Sequence, residues 1–317
     1  MKKRYLIPIF IVLAFISVFV GVHEMSIKEV LSGNSHQVSI FLISRVPRLI
    51  SLIVAGVGLS ISGVIMQQIS NNKFVSPTTA ATIDSAKLGV LMSMILFASA
   101  TLWQKMILGF IFALLGTFVF MKIMKKIKFK NIVFIPLVGI MLGNVIGALS
   151  DFLAYRFDLM QNMSSFMQGN FSSVLRGNYE LLFLTIPLVI IAFLYANKFT
   201  IIGMGEDISR NLGLDFEKIA NIGMVIVSLI TVLVIITVGS IPFVGLIIPN
   251  IVSIFMGDNL SKSIWNVSLF GASFLLLCDI IGRIVIFPYE IPISLTVGVI
   301  GSAVFLYLIF RRQTNEG

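Results

Sequence analysis

The 317-residue chain has one cysteine and two histidines. A disulfide framework or a Cys/His metal cluster needs several such residues at set spacings, so both are excluded and no metal site is expected. Cys278 sits in an apolar run and reads as a small buried hydrophobe, while His23 and His36 flank a loop with no partner motif. Charge is sparse as well: Asp, Glu, Lys and Arg make up 12% of residues, against about 25% in soluble domains. No G-x-x-x-x-G-K-[ST] string occurs, so the chain lacks the loop that cradles nucleotide phosphates. Catalysis by this chain alone has no foothold, and no bound cofactor is expected.

What remains is hydrocarbon. Hydrophobic residues are 57% of the chain and the mean hydropathy is +1.03, which points to an all-α, polytopic membrane protein. In lipid the backbone must satisfy its own hydrogen bonds, so each crossing is a helix of roughly 20 apolar residues. Uncharged or nearly uncharged runs at 5–22, 49–70, 88–101, 106–124, 132–155, 181–197, 219–238, 242–256, 264–286 and 293–310 predict about ten spans, two of them short. The uncharged stretch 219–257 is too long for one crossing, and Gly239-Ser240-Ile241-Pro242 is where it must break. Little polar sequence is left between runs, so residues 1–317 are expected to form a single membrane domain without a soluble one.

The formal charge of +9 is a topology signal rather than a nucleic-acid surface, because the basic residues sit in short loops and at span ends. With the N-terminus inside, most of the 23 Lys and Arg residues fall on the cytoplasmic side, and Lys28, Arg45, Arg48, Lys105, Arg156, Arg176 and Arg283 remain outside. Both termini and the charged segment 203–218 are then cytoplasmic. The MKKR start and the run after it are expected to be a retained span, since no small-residue cleavage site follows Val22.

That segment, GMGEDISRNLGLDFEK, predicts two short helices. Glu206 and Asp207 suit the first N-terminus, Gly213 its C-terminal end, and Asp215 the N-cap of the second helix. Asp84 stands near the start of the third span, where a carboxylate is costly and implies a pathway or a partner; Lys87 is the nearest one. The string AGVGLSISG from Ala55 to Gly63 favours close helix packing.

Three strings together resemble the FecCD-type permeases, the membrane subunits of ABC importers for iron-siderophores, heme and vitamin B12. They are GEDISRNLGL, GSIPFVGLIIPNIVSIFMGDN and the terminal EIPISLTVGVIGSAVFLYLIFRR. Arg45-Val-Pro-Arg48, followed by AGVGLSISGVIMQQISNNKFVSP, resembles the family's R-x-P-R span and the turn after it, so the likeness covers nearly the whole chain.

The resemblance implies a type II ABC importer permease fold with its coupling helices at 203–218, where Gly205, Glu206, Asp207, Arg210, Leu212 and Gly213 would engage the ATPase. It implies that Arg45, Arg48 and Arg283 dock acidic residues of an extracellular siderophore-binding protein; the competing readings are that Arg45 and Arg48 anchor a span at the interface and that Arg283 pairs with Asp279, four residues before it. Asn72-Lys73-Phe74-Val75-Ser76-Pro77 resembles the family's N-P-L-A-x-P turn, which makes Asn72 and Phe74 gate residues, with Asp84 beside the pathway. Two positions depart from the pattern: Lys73 replaces a common proline, and Asn250 stands where many relatives have histidine. The variant VSPTTAATIDSAKLG looks more like permeases for catecholate or petrobactin-type ferric siderophores than like those for vitamin B12.

The implied partners are a second FecCD-type permease, identical or related, two ATPase subunits that use ATP and Mg, the binding protein and membrane lipid. No nucleic acid is involved. The implied setting is the bacterial cytoplasmic membrane. The alternatives are a heme or vitamin B12 permease, or an ion-coupled secondary transporter resting on Asp84, Asp151 and Asp279.

Overall fold

The structure, a computed structural model, describes residues 3–21, 35–97, 99–126, 134–177 and 179–316. His23 and Lys28 lie outside the described residues. Every apolar run identified above corresponds to helix. The chain opens with α1 (Lys3–Phe19) and α2 (Ser35–Ile40), and a π turn at Phe41–Arg45 carries α2 into α3 (Val46–Ser70). There follow α4 (Thr82–Leu96), α5 (Leu102–Lys126), α6 (Phe134–Arg156) and the short α7 (Met160–Met167). Next come α8 (Thr185–Leu194), α9 (Ala196–Ile202) and α10 (Glu206–Asn211). The chain ends with α11 (Phe216–Val238), α12 (Val244–Met256), α13 (Leu260–Ile284) and α14 (Ile293–Glu316).

Among the described residues, five helical stretches are individually long and apolar enough to cross a membrane, those of α3, α5, α6, α11 and α13. A sixth is made by the 3-10 turn Glu180–Leu184 with α8 and α9, bent by 61° near Tyr195. Helices α1, α4, α12 and α14 occupy the other apolar runs. The third run is displaced: its helix starts at Thr82 and ends at Leu96, so Asp84 lies inside the helix rather than ahead of it. The long uncharged stretch breaks where glycine and proline required it. Gly239 has φ +85° and Phe243 φ +64°, both in the left-handed region, and α12 restarts at Val244.

The centre of the bundle is α3, packed on α11, α12 and α13. Small residues make this possible. A Cβ on Gly63 would stand 1.8 Å from the Gly245 carbonyl oxygen, and one on Gly56 would stand 2.7 Å from that of Gly271. Backbones in contact gain dispersion energy that lipid cannot supply between bulkier helices. The inward position of α3 and the outward position of α6 are measurable: 78% of the α3 span is buried but only 22% of α6, whose large apolar side chains face outward for lipid or a second chain.

The two ends of the bundle differ. α11 begins beside the charged segment and, at 23 residues, carries the chain roughly 35 Å to the Gly239 break. The α3 terminus at Ser70, the start of α13 and the end of α5 lie with the charged segment. The Arg45 end of α3, the α13 terminus and the start of α5 lie with Gly239.

Candidate functional site

Two sites stand at opposite ends. At the first, α10 presents Glu206 and Asp207 in its first turn, and the Arg210 guanidinium donates to Glu206 Oε1 at 2.7 Å along one face. Ser209 Oγ donates to the carbonyls of Gly205 and Ile201, tying the turn to α9. The helix then closes in a Schellman arrangement: Gly213 N–H donates to Arg210 O and Leu214 N–H to Ser209 O, both at 2.9 Å. Gly213 has φ +78° with no atom within 4 Å of a would-be Cβ, so glycine is there for its backbone. Asp215 Oδ1 accepts from Lys218 N–H and caps α11. The result is a knob whose apolar tips, Met204, Ile208 and Leu212, are exposed among charges. A salt bridge from Lys125 to Glu217 at 2.9 Å joins the end of α5 to the start of α11 beside it.

The turn after α3 is built from local bonds. Asn71 is left-handed at φ +47°, Asn72 Oδ1 accepts from Phe74 N–H at 2.8 Å, and Asn72 is buried. Phe74 meets Phe305 of α14 edge-on at 6.0 Å, which links the turn to the last helix. Asn250 Nδ2 donates to the Lys73 carbonyl at 2.8 Å, and Lys73 Nζ bonds Asp258 at the same distance. Asp258 had no role in the sequence reading; its signal was the GDN turn before α13.

At the other end, Arg45, Arg48 and Arg283 come together, all buried. Arg48 reaches Asp279 Oδ1 at 2.7 Å and Glu290 Oε2 at 2.8 Å, bridging α3, α13 and the segment before α14. Arg283 pairs with Asp279 one helical turn back and donates to Ser17 Oγ at 2.8 Å and to the Ser17 and Val20 carbonyls. Arg45 Nη1 also donates to Val20 O at 2.8 Å, and its guanidinium packs on Gly21. Three cations thus share two carboxylates and the carbonyl end of α1. Glu290 was not singled out from sequence because its partner is 242 residues away.

Asp84 is accommodated by α6, where a Cβ on Gly143 would fall 2.4 Å from Asp84 Oδ2. Its expected partner, Lys87, instead bonds Asp151 Oδ1 of α6 at 2.6 Å, so the α4–α6 seam carries three charged residues. The structure does not bring Asp84 to the Asn72–Phe74 turn through any bond described for it.

Comparison with known proteins decides the family. The model of the FecCD transport family matches residues 9–311. The chain belongs to the FecCD transport family. It is 57% identical over 313 residues to the petrobactin import system permease protein YclN of Bacillus subtilis, covering 99% of each chain. It is 39% identical over 302 residues to the ferric-anguibactin transport system permease protein FatD of Vibrio anguillarum, covering 95% of this chain and 96% of that one. Among solved structures it superposes on a chain described as an inward-facing metal-chelate type ABC transporter, with TM-score 0.79, 22% identity and coverage of 96% and 97%. This FecCD permease is a multi-pass membrane protein with the helical fold of that class.

Proposed function

We propose that this FecCD permease is one of two membrane subunits of an ATP-driven importer that carries a petrobactin-like or other catecholate-type ferric siderophore across the bacterial cytoplasmic membrane. The observation that carries the reading is the 57% identity, end to end, with a petrobactin import permease. The second subunit is a FecCD-type chain, the same or related, and the exposed apolar face of α6 suits its packing or that of lipid.

The charged knob is the coupling element. Gly205, Glu206, Asp207, Arg210, Leu212 and Gly213 engage a cleft of an ATPase subunit, and the exposed Leu212 and Ile208 supply apolar contact. ATP and Mg belong to that partner. Movement of the knob passes to α11 through the short Leu214–Asp215 link and to α5 through Lys125–Glu217. At the far end, Arg45, Arg48 and Arg283 dock acidic residues of a siderophore-binding protein, which compete with Glu290 for Arg48. Arginine suits this exchange, since its charge is permanent and its donors serve two carboxylates at once. The pathway opens to one side at a time, with Asn72 and Phe74 closing its cytoplasmic end beside α14 and Asp84 at the α4–α6 seam. Both termini are cytoplasmic, as the distribution of Lys and Arg favours. An ion-coupled carrier fits less well, because two of the three acids it would rest on, Asp151 and Asp279, are paired with Lys87 and with Arg48 and Arg283, which leaves it Asp84 alone.

The test is uptake of radioactive iron, supplied as a panel of ferric siderophores, in cells with and without the gene and with the ATPase disabled. Loss of one siderophore in both backgrounds is expected. Uptake that needs the permease but survives without any ATPase would replace this reading with the ion-coupled one.

A further inference from the structure

An open cavity of about 780 Å³ lies at the arginine end of the bundle. It is bounded by the end of α4, the first turn of α5, one face of α7 and the Gly239 break. That volume is within the range of roughly 300–1,000 Å³ typical of small-molecule sites. Among the described residues its wall holds one cation, Lys105, together with uncharged polar groups such as Asn162, Ser165 and Ser173, and no carboxylate. Lys105 Nζ stands 5.2 Å from the centre of the Phe166 ring. Lys73, Lys87 and Lys125 each pair with an acid, but no ion pair among the described residues includes Lys105. An ammonium without a counter-charge in a wall of donors favours an anion.

The cavity has a fixed floor. Asn170 N–H donates to Val238 O at 2.8 Å and Ser240 N–H to Met167 O at 3.0 Å, so residues after α7 run alongside the break between α11 and α12. A Cβ on Gly239 would stand 2.6 Å from Gln168 O, and one on Gly169 would stand 2.5 Å from Ser240 O, so this contact requires glycine on both strands. Ser294 N–H of α14 donates to Gly169 O, which ties the floor to the last helix. The cavity is therefore joined by backbone bonds to the end of the same α11 that begins at the charged knob.

We propose that this cavity is a receiving site for an anionic iron chelate, in which Lys105, seated over the Phe166 ring, contacts carboxylate or catecholate oxygens. The proposal rests on the permease reading and adds the ligand contacts to it.

The test uses the assembled importer with its binding protein, and ferric petrobactin as the probe. Lys105→Gln and Ser165→Glu are expected to lower the maximal uptake rate on the order of tenfold, as for loss of a charge-assisted bond. Lys105→Arg should keep most of it, and docking of the binding protein should be unchanged in all three. A thiol placed by Ser173→Cys, read against the buried Cys278, should be shielded from a membrane-impermeant maleimide by iron-loaded but not by empty binding protein. Undiminished uptake in Lys105→Gln, equal shielding by both forms, or loss in Lys105→Arg at normal chain abundance would overturn the site. If deleting the gene leaves uptake of every ferric chelate intact, the permease reading itself falls.

Discussion

Asn250 and Lys73 are 177 residues apart in sequence, and the amide of one donates to the carbonyl of the other at 2.8 Å. Both are positions where this chain departs from the pattern its family resemblance implies. A histidine would bring a titrating ring to this contact, and a proline at 73 could not supply an ammonium for Asp258. Here the turn after α3 is instead held by an amide from α12 and by the Lys73–Asp258 bridge.

Removing the amide tests that bracing. Asn250→Ala deletes donations to Lys73 O and Leu246 O, worth about 1–2 kcal/mol together by the usual net value of such bonds. Faster hydrogen exchange at residues 71–76 and reduced uptake are expected, with Asn250→His milder because it keeps a donor. Exchange at the turn identical to the parent would remove Asn250 from any role in holding it.

The knob depends on a left-handed glycine. Gly213→Val forces a β-branched residue to φ +78°, at a cost of about 1–2 kcal/mol, and misdirects the link into α11. ATP hydrolysis continuing without transport is the expected phenotype, with membrane insertion intact. Reversing both Glu206 and Arg210 restores their mutual pairing but not a partner's, so it should uncouple as well. Normal uptake in these variants would show that the knob does not transmit the stroke.

The arginine cluster makes two separable predictions. Asp279→Asn takes the carboxylate partner from buried Arg283 and leaves Arg48 with Glu290 alone, and removing one partner of a buried pair costs on the order of 3–5 kcal/mol. A marked drop in thermal stability of the detergent-solubilised chain is the measurement. Glu290→Gln removes only the competitor for Arg48, so binding-protein docking should strengthen, whereas Arg45→Glu should weaken it and be rescued in part by charge reversal on the partner. Docking indifferent to Glu290 and Arg45 would leave the cluster as an internal brace.

Helix contact at the centre is tested by bulk. Gly63→Leu drives a side chain into the Gly245 carbonyl and has to part α3 from α12, which should cost about 1–3 kcal/mol or more. The same substitution at Gly298, with nothing within 4 Å of its Cβ position, is expected to be tolerated. Equal melting temperatures for the two variants would contradict the packing of α3 described above.

Much of this molecule was readable from local pattern. Apolar run length located the helices because lipid leaves the backbone few other ways to bond, and the Gly239–Pro242 break followed from the same arithmetic. The caps of the knob were readable, since caps and a left-handed glycine act over three or four positions: Asp215 caps α11 and Gly213 closes α10, but the second of the two short helices expected there is the start of the 23-residue α11. Where the physics is not local, the sequence was silent or misleading. Lys87 was nearest to Asp84 along the chain, yet the fold gave it Asp151, 64 residues on. The partners of Arg48 at Asp279 and Glu290, the contact of Asn250 with Lys73, and the wall that leaves Lys105 without an acid all come from segments far apart in sequence. Sequence determined which segments are helical, because burial of backbone in hydrocarbon is decided residue by residue. Tertiary structure decided which distant charges meet, because a few ångströms between helices determine whether two ions pair, whereas Glu206–Arg210 and Asp279–Arg283 lie one helical turn apart and follow from spacing.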